Sequence, residues 1–362
     1  MPTTFTRYRD DLEHKVDNED EIVASILASM SRANEAVAAK HRHGVRDAHA
    51  KSHGILAGEL RVHANAPAPY RQGLFAEPAT YPVIVRLSTA PGDLRSDDLG
   101  APRGMAIKVI GVPGERALND DAITQDFLLV NDDHLPFGTL DKYLEFQKVL
   151  EAQPAMTDTE IRNATRKGKA IGAVLTALHR PLPVPVELAT VTHNNDILGE
   201  TFNSLAALRH GDYVAKISAA PLTRALRART GKPIPKGESA LQQVVADYFR
   251  HQDGEYSIRA QLCTDPAIMP IEDATVAWPE ALSPHVSVAT LHLPAQNTYS
   301  DARRVFADDT LSFSPWHALA AHRPLGAIMR SRARAYPSSS DFRHGYNQVA
   351  AREPRDIGEL PD

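Results

Sequence analysis

The sequence predicts an α+β fold in which seven or eight strands close into an antiparallel barrel with helices around it. Two observations carry that expectation. Short apolar or period-two runs bounded by Pro, Gly and Asp lie on both sides of a helical block, without the strand–helix alternation of a doubly wound sheet. The 26 prolines are spread along all 362 residues, which suits many turns between short elements rather than a bundle of long helices.

Taken in order, residues 17–43 read as a helix. Ile22, Val23, Ile26, Leu27, Met30, Ala33 and Val37 recur at three-and-four spacing, acids fill the first turn, and Gly44 is the stop. Residues 55–63, 82–87, 105–112 and 127–130 read as strands. Helical spacing returns at 140–150 and 158–178 and closes at Pro181-Leu-Pro-Val-Pro185. Strands follow at 213–219, 256–263 and 286–293, with a helix over 239–250. Residues 316–336 read as a last helix, interrupted near Pro324, and the polar residues 351–362 read as a loose tail. This divides the chain into an N-terminal arm and helix (1–43), a core (44–350) and the tail (351–362).

Composition excludes several classes of function. With 40 Lys+Arg against 45 Asp+Glu the formal charge is −5, which argues against a general nucleic-acid binder. No run approaches the roughly 20 apolar residues of a membrane span. The lone Cys263 precludes an internal disulfide or a Cys-based zinc or iron–sulfur site in one chain. The first residues carry acids and no apolar core of a secretory leader, so a reducing cytoplasm is the expected compartment.

Two segments draw attention as chemistry. Histidines 41, 43, 49, 53 and 63 crowd one stretch, yet none pairs at i, i+4 beside a Glu on a clear helix, so a zincin-like metal site has no support. The plain alternative is a solvated His-rich loop. Near the other end, Met329-Arg-Ser-Arg-Ala-Arg-Ala-Tyr336-Pro places Arg332 and Tyr336 four residues apart on one helix face. A cation there favours phenolate, lowering a pKa that is ordinarily about 10, and phenolate suits ferric iron. The plain alternative is a basic surface helix.

Together with further blocks these segments become recognisable. Arg46-Asp-Ala-His49-Ala-Lys-Ser-His-Gly resembles the distal-histidine segment of haem catalases. Val85-Arg86-Leu-Ser88-Thr-Ala-Pro-Gly-Asp and Pro102-Arg103-Gly104-Met-Ala-Ile-Lys108 look like the next catalase blocks. Asp126-Phe-Leu-Leu-Val130-Asn131 is similar to the strand ending in the distal asparagine, and Arg332-Ala-Arg-Ala-Tyr336-Pro with Arg343, Gly345 and Asn347 to the proximal-tyrosine motif. Phe313-Ser-Pro-Trp316-His317-Ala-Leu and Arg323-Pro-Leu-Gly326 resemble the version found in short catalase-related bacterial proteins. The blocks run in family order from about residue 44 to 347.

The resemblance implies a catalase-type eight-stranded antiparallel β-barrel core with surrounding helices, holding haem b. It makes Tyr336 the axial iron ligand, with Arg332 keeping its oxygen electron-rich. It makes His49 the distal acid/base, Ser88 the hydroxyl that fixes the His49 tautomer, and Asn131 the distal amide. Arg46, Arg86 and Arg343 match arginines that pair with haem propionates. Trp316 and His317 are expected to pack at the start of the last helix. The implied activity is that of a haem peroxidase or catalase acting on hydrogen peroxide and organic hydroperoxides, with an electron donor the sequence does not identify.

The chain departs from large catalases at Val130-Asn131-Asp132-Asp133-His134, where a different register would put Asp132 in place of the amide. Tyr143 and Phe146 compete as the aromatic that stacks on the porphyrin. The C-terminal extensions of larger catalases are missing, and a shorter wall should admit bulkier substrates. Rival readings are rearrangement of fatty-acid hydroperoxides and a haem-binding module with little turnover. Relatives of this kind generally associate, which leaves homo-oligomer formation open, with the N-terminal helix available as an interface arm.

Overall fold

The structure, a computed structural model, describes residues 4–118, 120–190 and 194–362; the first three residues of the N-terminal arm read above lie outside the described residues. Strands β1 (Ser52–Val62), β2 (Thr80–Thr89), β3 (Arg103–Ile110) and β4 (Thr124–Val130) form an antiparallel meander. After helices α2 (Leu140–Ala152), α3 (Asp158–Ala177) and α4 (Val184–Thr190) the chain adds β5 (Phe202–Asn203), β6 (Leu208–His210) and β7 (Tyr213–Pro221). The short α5 (Arg224–Arg227) and α6 (Ala240–Phe249) precede β8 (Gly254–Leu262) and β9 (Val286–Leu293). The 9-stranded sheet runs β5-β4-β3-β2-β1-β9-β8-β7-β6, and β5 also pairs with β7. Eight strands therefore close into an antiparallel ring, with β6 beside β5 on the same edge of β7. Closure leaves no long unpaired edge.

Period two decides what each face does. Val83, Val85 and Leu87 of β2, Met105, Ile107 and Val109 of β3 and Phe127 and Leu129 of β4 join one apolar cluster with Ile217, Tyr256, Ile258 and Leu291 from the far wall. Each such aliphatic side chain stabilises the barrel by about 1.5–3 kcal/mol through burial. The opposite face of the same strands carries Arg86, Ser88 and Gly104, which the register sets side by side: Ser88 pairs with Gly104, and Arg86 with Ala106. Polar chemistry thus sits on the outer face of the β1–β4 wall, and helices cover it.

Those helices are α1 (Glu19–His41), α2 and α8 (Ala327–Asn347), joined by Ile22, Val23, Ile26, Met30, Leu140, Ile328 and Ala335. Helix α1 stops before Gly44: Arg42 takes the left-handed conformation (φ 53°) and its N–H bonds back to Ala38. A short α7 (Asp301–Val305) runs into a π-helical turn, Phe306–Thr310. The last helix differs most from expectation. It begins at Ala327 and continues through Pro337 to Asn347, because Ser339, Arg343 and His344 beyond the proline are buried against the core. Residues 181–185 do not close the helical region either, since α4 starts at Val184. Nor is the C-terminal segment loose. Leu360 packs with Ile55 and Ile84, and Arg303 donates to the Pro361 carbonyl (2.8 Å).

Candidate functional site

His49 lies in the loop that enters β1, with a left-handed backbone (φ 56°) that a histidine adopts at a cost of roughly 1–2 kcal/mol. Two backbone hydrogen bonds hold the turn: His49 N–H to Ala90 O (2.9 Å) and Ala50 N–H to Pro91 O (3.1 Å). The imidazole is thereby laid across the start of β3. Its Nδ1 is 3.1 Å from Ser88 Oγ. Gly104 makes room for the ring, because a Cβ there would stand 2.5 Å from Nδ1 and 2.9 Å from Ser88 Oγ. The imidazole keeps accessible surface, and that surface faces a large cavity. Burial, followed by repulsion from Arg86, Arg332 and Arg46, lowers its pKa to about 3. The ring is therefore neutral at physiological pH, the state a general base needs.

Tyr336 comes from α8 and lines the same cavity, as do Arg332 one turn earlier and Asp47 beside His49. Asp47 accepts a hydrogen bond from Ser339 Oγ (2.5 Å), tying the His49 loop to α8. The expected lowering of the tyrosine pKa by Arg332 is only part of the balance. Burial raises the Tyr336 pKa above its ordinary value; Arg332 pulls it down, while Asp47 and Asp126 push it up. In the protein alone the phenol stays protonated, and a metal cation would be needed to ionise it.

Arg46, Arg86 and Arg343 converge on the π turn after α7. Arg46 donates to Ala307 O (2.6 Å), Leu311 O (2.7 Å) and Asp308 Oδ1 (3.1 Å). Arg86 reaches Asp308 Oδ1 (3.0 Å) and Ala50 O (3.1 Å), and Arg343 reaches Asp309 O (2.8 Å) and Leu311 O (3.2 Å). Burial, then mutual repulsion, drives the Arg46 pKa well down and that of Arg343 to about 10. Burial pushes Asp308 up, yet Arg86, Arg46 and the Ser52 hydroxyl (2.7 Å) leave it below the usual carboxylate range. All three guanidiniums line the cavity, and the carboxylates around them are Asp308, Asp309 and Asp47.

Asn131 is not part of that wall. Its Oδ1 accepts from the Arg103 N–H (2.6 Å) and its Nδ2 is buried without a partner, whereas Val130 and Asp132 line the cavity. Tyr143 and Phe146 both face it, Tyr143 stacked on Phe137 with centroids 4.7 Å apart. Trp316 and His317 precede the last helix and line the cavity as well; Trp316 Nε1 donates to Met329 O (2.7 Å). Sequence reasoning missed Asp47, Asp308 and Phe137. Asp47 follows Arg46 directly and was within reach of inspection, but only the folded π turn reveals Asp308.

Among the described residues one further group has metal-ligand types, Asp126, His317 and Glu353. Lys108 Nζ already occupies it, 2.9 Å from both Asp126 oxygens and 2.5 Å from Glu353, so it is an ion-pair network.

The cavity between the β1–β4 wall, α8 and the α2–α4 helices has a volume of about 920 Å³, near the upper end for sites that enclose one organic ligand. Compared with known families and curated proteins, the sequence matches none. Solved structures do match. A fungal catalase superposes with a TM-score of 0.58 at 15% identity, covering 96% of this chain and 68% of that one. Catalase A from Saccharomyces cerevisiae gives 0.59 at 14% identity, covering 96% and 70%, and a bacterial catalase 0.55 at 14%, covering 99% and 70%. The fold is catalase-type. Within that catalase-type fold, His49 with Ser88 and Tyr336 with Arg332 share one cavity, though they come from opposite ends of the chain.

Proposed function

We propose that the chain holds haem b in this cavity and acts on peroxides as a peroxidase or catalase. One observation carries the reading: a neutral imidazole and a buried phenol face a common cavity whose lining also includes Arg46, Arg86 and Arg343. These residues fit the group. Among the described residues the Tyr336 hydroxyl has no hydrogen-bond partner in the protein, and these three arginines on the lining suit a dianion such as a pair of propionates. Haem would supply the redox chemistry of O–O cleavage and would hold Tyr336 as phenolate.

The remaining work falls to the chain's own groups. Neutral His49 takes a proton from the peroxide oxygen and returns it to the leaving oxygen, and Ser88 holds the other ring nitrogen. Arg332 offers a cation beside Tyr336. Arg46, Arg86 and Arg343 bind carboxylates. Asp132, rather than the amide of Asn131, would be the polar group of that wall.

A second reading has its own support. The cavity continues along an apolar annex lined by Leu150, Met156, Ile161, Val186 and Leu188, which suits bulky hydroperoxides. Haem-replete protein tests both. We expect a haem spectrum altered in Tyr336→Phe, donor oxidation with both H2O2 and cumene hydroperoxide, and loss of either activity in His49→Ala. Consumption of a lipid hydroperoxide without reductant would favour rearrangement. A colourless protein after expression with ample haem would end both readings.

A further inference from the structure

Helix α3 is unlike the other long helices. A capping box starts it: the Thr157 hydroxyl accepts from the Glu160 N–H (3.3 Å), and the Glu160 carboxylate accepts from the Thr157 N–H (2.7 Å). Beyond that it buries only Gly168 and Gly172, where α4 packs close; a Cβ on Gly168 would lie 2.5 Å from the Ala189 methyl. Residues 170–178 carry no charge, and Ile171, Val174 and Leu178 form one stripe that is 50%, 58% and 63% exposed. An apolar stripe of this kind on a surface helix asks for a partner.

Charge selects the partner. From residue 161 to 186 the chain has Arg162, Arg166, Lys167, Lys169 and Arg180 and no Asp or Glu, within a protein of net charge −5. Two copies meeting through this face would set cation against cation, which disfavours self-association. The segment has no Phe, Tyr or Trp on which bases could stack. An apolar stripe flanked by Lys and Arg on an exposed helix matches an anionic bilayer surface. No helix of the described residues is long and apolar enough to cross a membrane, so the contact is peripheral. The large cavity reaches the surface at this same helix, its wall including exposed Lys167 and Ile171.

We propose that α3 and the loop after it dock the protein on anionic lipid, with the cavity mouth opening at the contact. The docking does not depend on the haem reading. The test is co-sedimentation of the full chain with vesicles of phosphatidylcholine alone and of equal parts phosphatidylcholine and phosphatidylglycerol. The expected result is binding to the second only, weakened by salt. Val174→Glu with Leu178→Glu, or Arg166→Glu with Arg180→Glu, should each lower binding about tenfold or more, with unchanged circular dichroism showing that the fold survives. Wild-type protein that stays in the supernatant with anionic vesicles would overturn the proposal. So would light scattering that shows a dimer in solution which Val174→Glu with Leu178→Glu converts to monomers, because a second copy would then cover the face.

Discussion

Two of the regions that hold strongly perturbed histidines differ in one respect, which is whether the rings open on a cavity. In the barrel interior the His210 and His322 rings lie with centroids 5.3 Å apart, tilted 44° to one another, and Phe75 lies against both. His322 Nε2 accepts from the Leu74 N–H (2.9 Å), and His210 Nε2 is 2.9 Å from the Tyr70 carbonyl. Burial lowers His322 to about 3 and His210 to about 4, much as it lowers His49. A depressed pKa therefore does not separate the two regions. What separates them is space. The interior pair is walled in by aromatic rings, whereas His49 opens on a cavity that also holds a phenol and the arginines Arg46, Arg86, Arg332 and Arg343.

The comparison can be broken by experiment. The largest contrast should come from His49→Ala beside His322→Leu. On the proposed function, the first lowers kcat/KM for peroxide by about 10²–10⁴ while the protein still binds haem. The second leaves kcat/KM within twofold but removes the acceptor for Leu74 N–H, costing about 1–3 kcal/mol in urea unfolding. Equal activity losses in both would erase the distinction.

Next in size is Gly104→Ala. Its methyl group would collide with the His49 ring, so kcat/KM should fall by up to about a hundredfold with little change in haem content. A variant of full activity would mean that the imidazole position is not decisive.

The smallest effect is on pH dependence. His49, His322 and His210 are depressed in the fold relative to an unfolded value near 6.5, so they stabilise the native state fully above that pH. Their contribution is lost as pH falls from about 6.5 toward 3–4. Thermal unfolding should therefore weaken over that range, and less so in His322→Leu. The peroxide reaction itself should show no titration near 6.5, since His49 remains neutral down to about pH 3. An activity limb at 6.5 that is not matched by unfolding would contradict the lowered value.

Much of this was legible in the sequence, for identifiable reasons. Strong periodicity located α1, α2, α3 and β9 closely, because one face of each is apolar. The catalase-like blocks carried His49, Ser88, Tyr336 and the arginines to the cavity, since each block is a fixed local geometry. What stayed hidden was tertiary. Two-residue β5 has no pattern of its own, yet it closes the barrel by touching β4 and β7. Pro337 looked like a helix stop, and the buried side of Arg343 and His344 overrides it. The orientation of Asn131 depends on whether a side chain at the end of β4 turns toward the barrel or the cavity, which no spacing rule decides.

The knot of Lys108 with Asp126 and Glu353 gives the carboxyl end a mechanical task. Lys108 has no exposed surface, and one of its counter-anions, Glu353, arrives from the polar segment 351–362. Proteolytic removal of residues 351–362 would leave Lys108 with Asp126 as its remaining carboxylate partner, beside His317, in the wall behind the pocket. Loss of a dozen peripheral residues should then register at the pocket, as a loosened wall rather than a shortened chain.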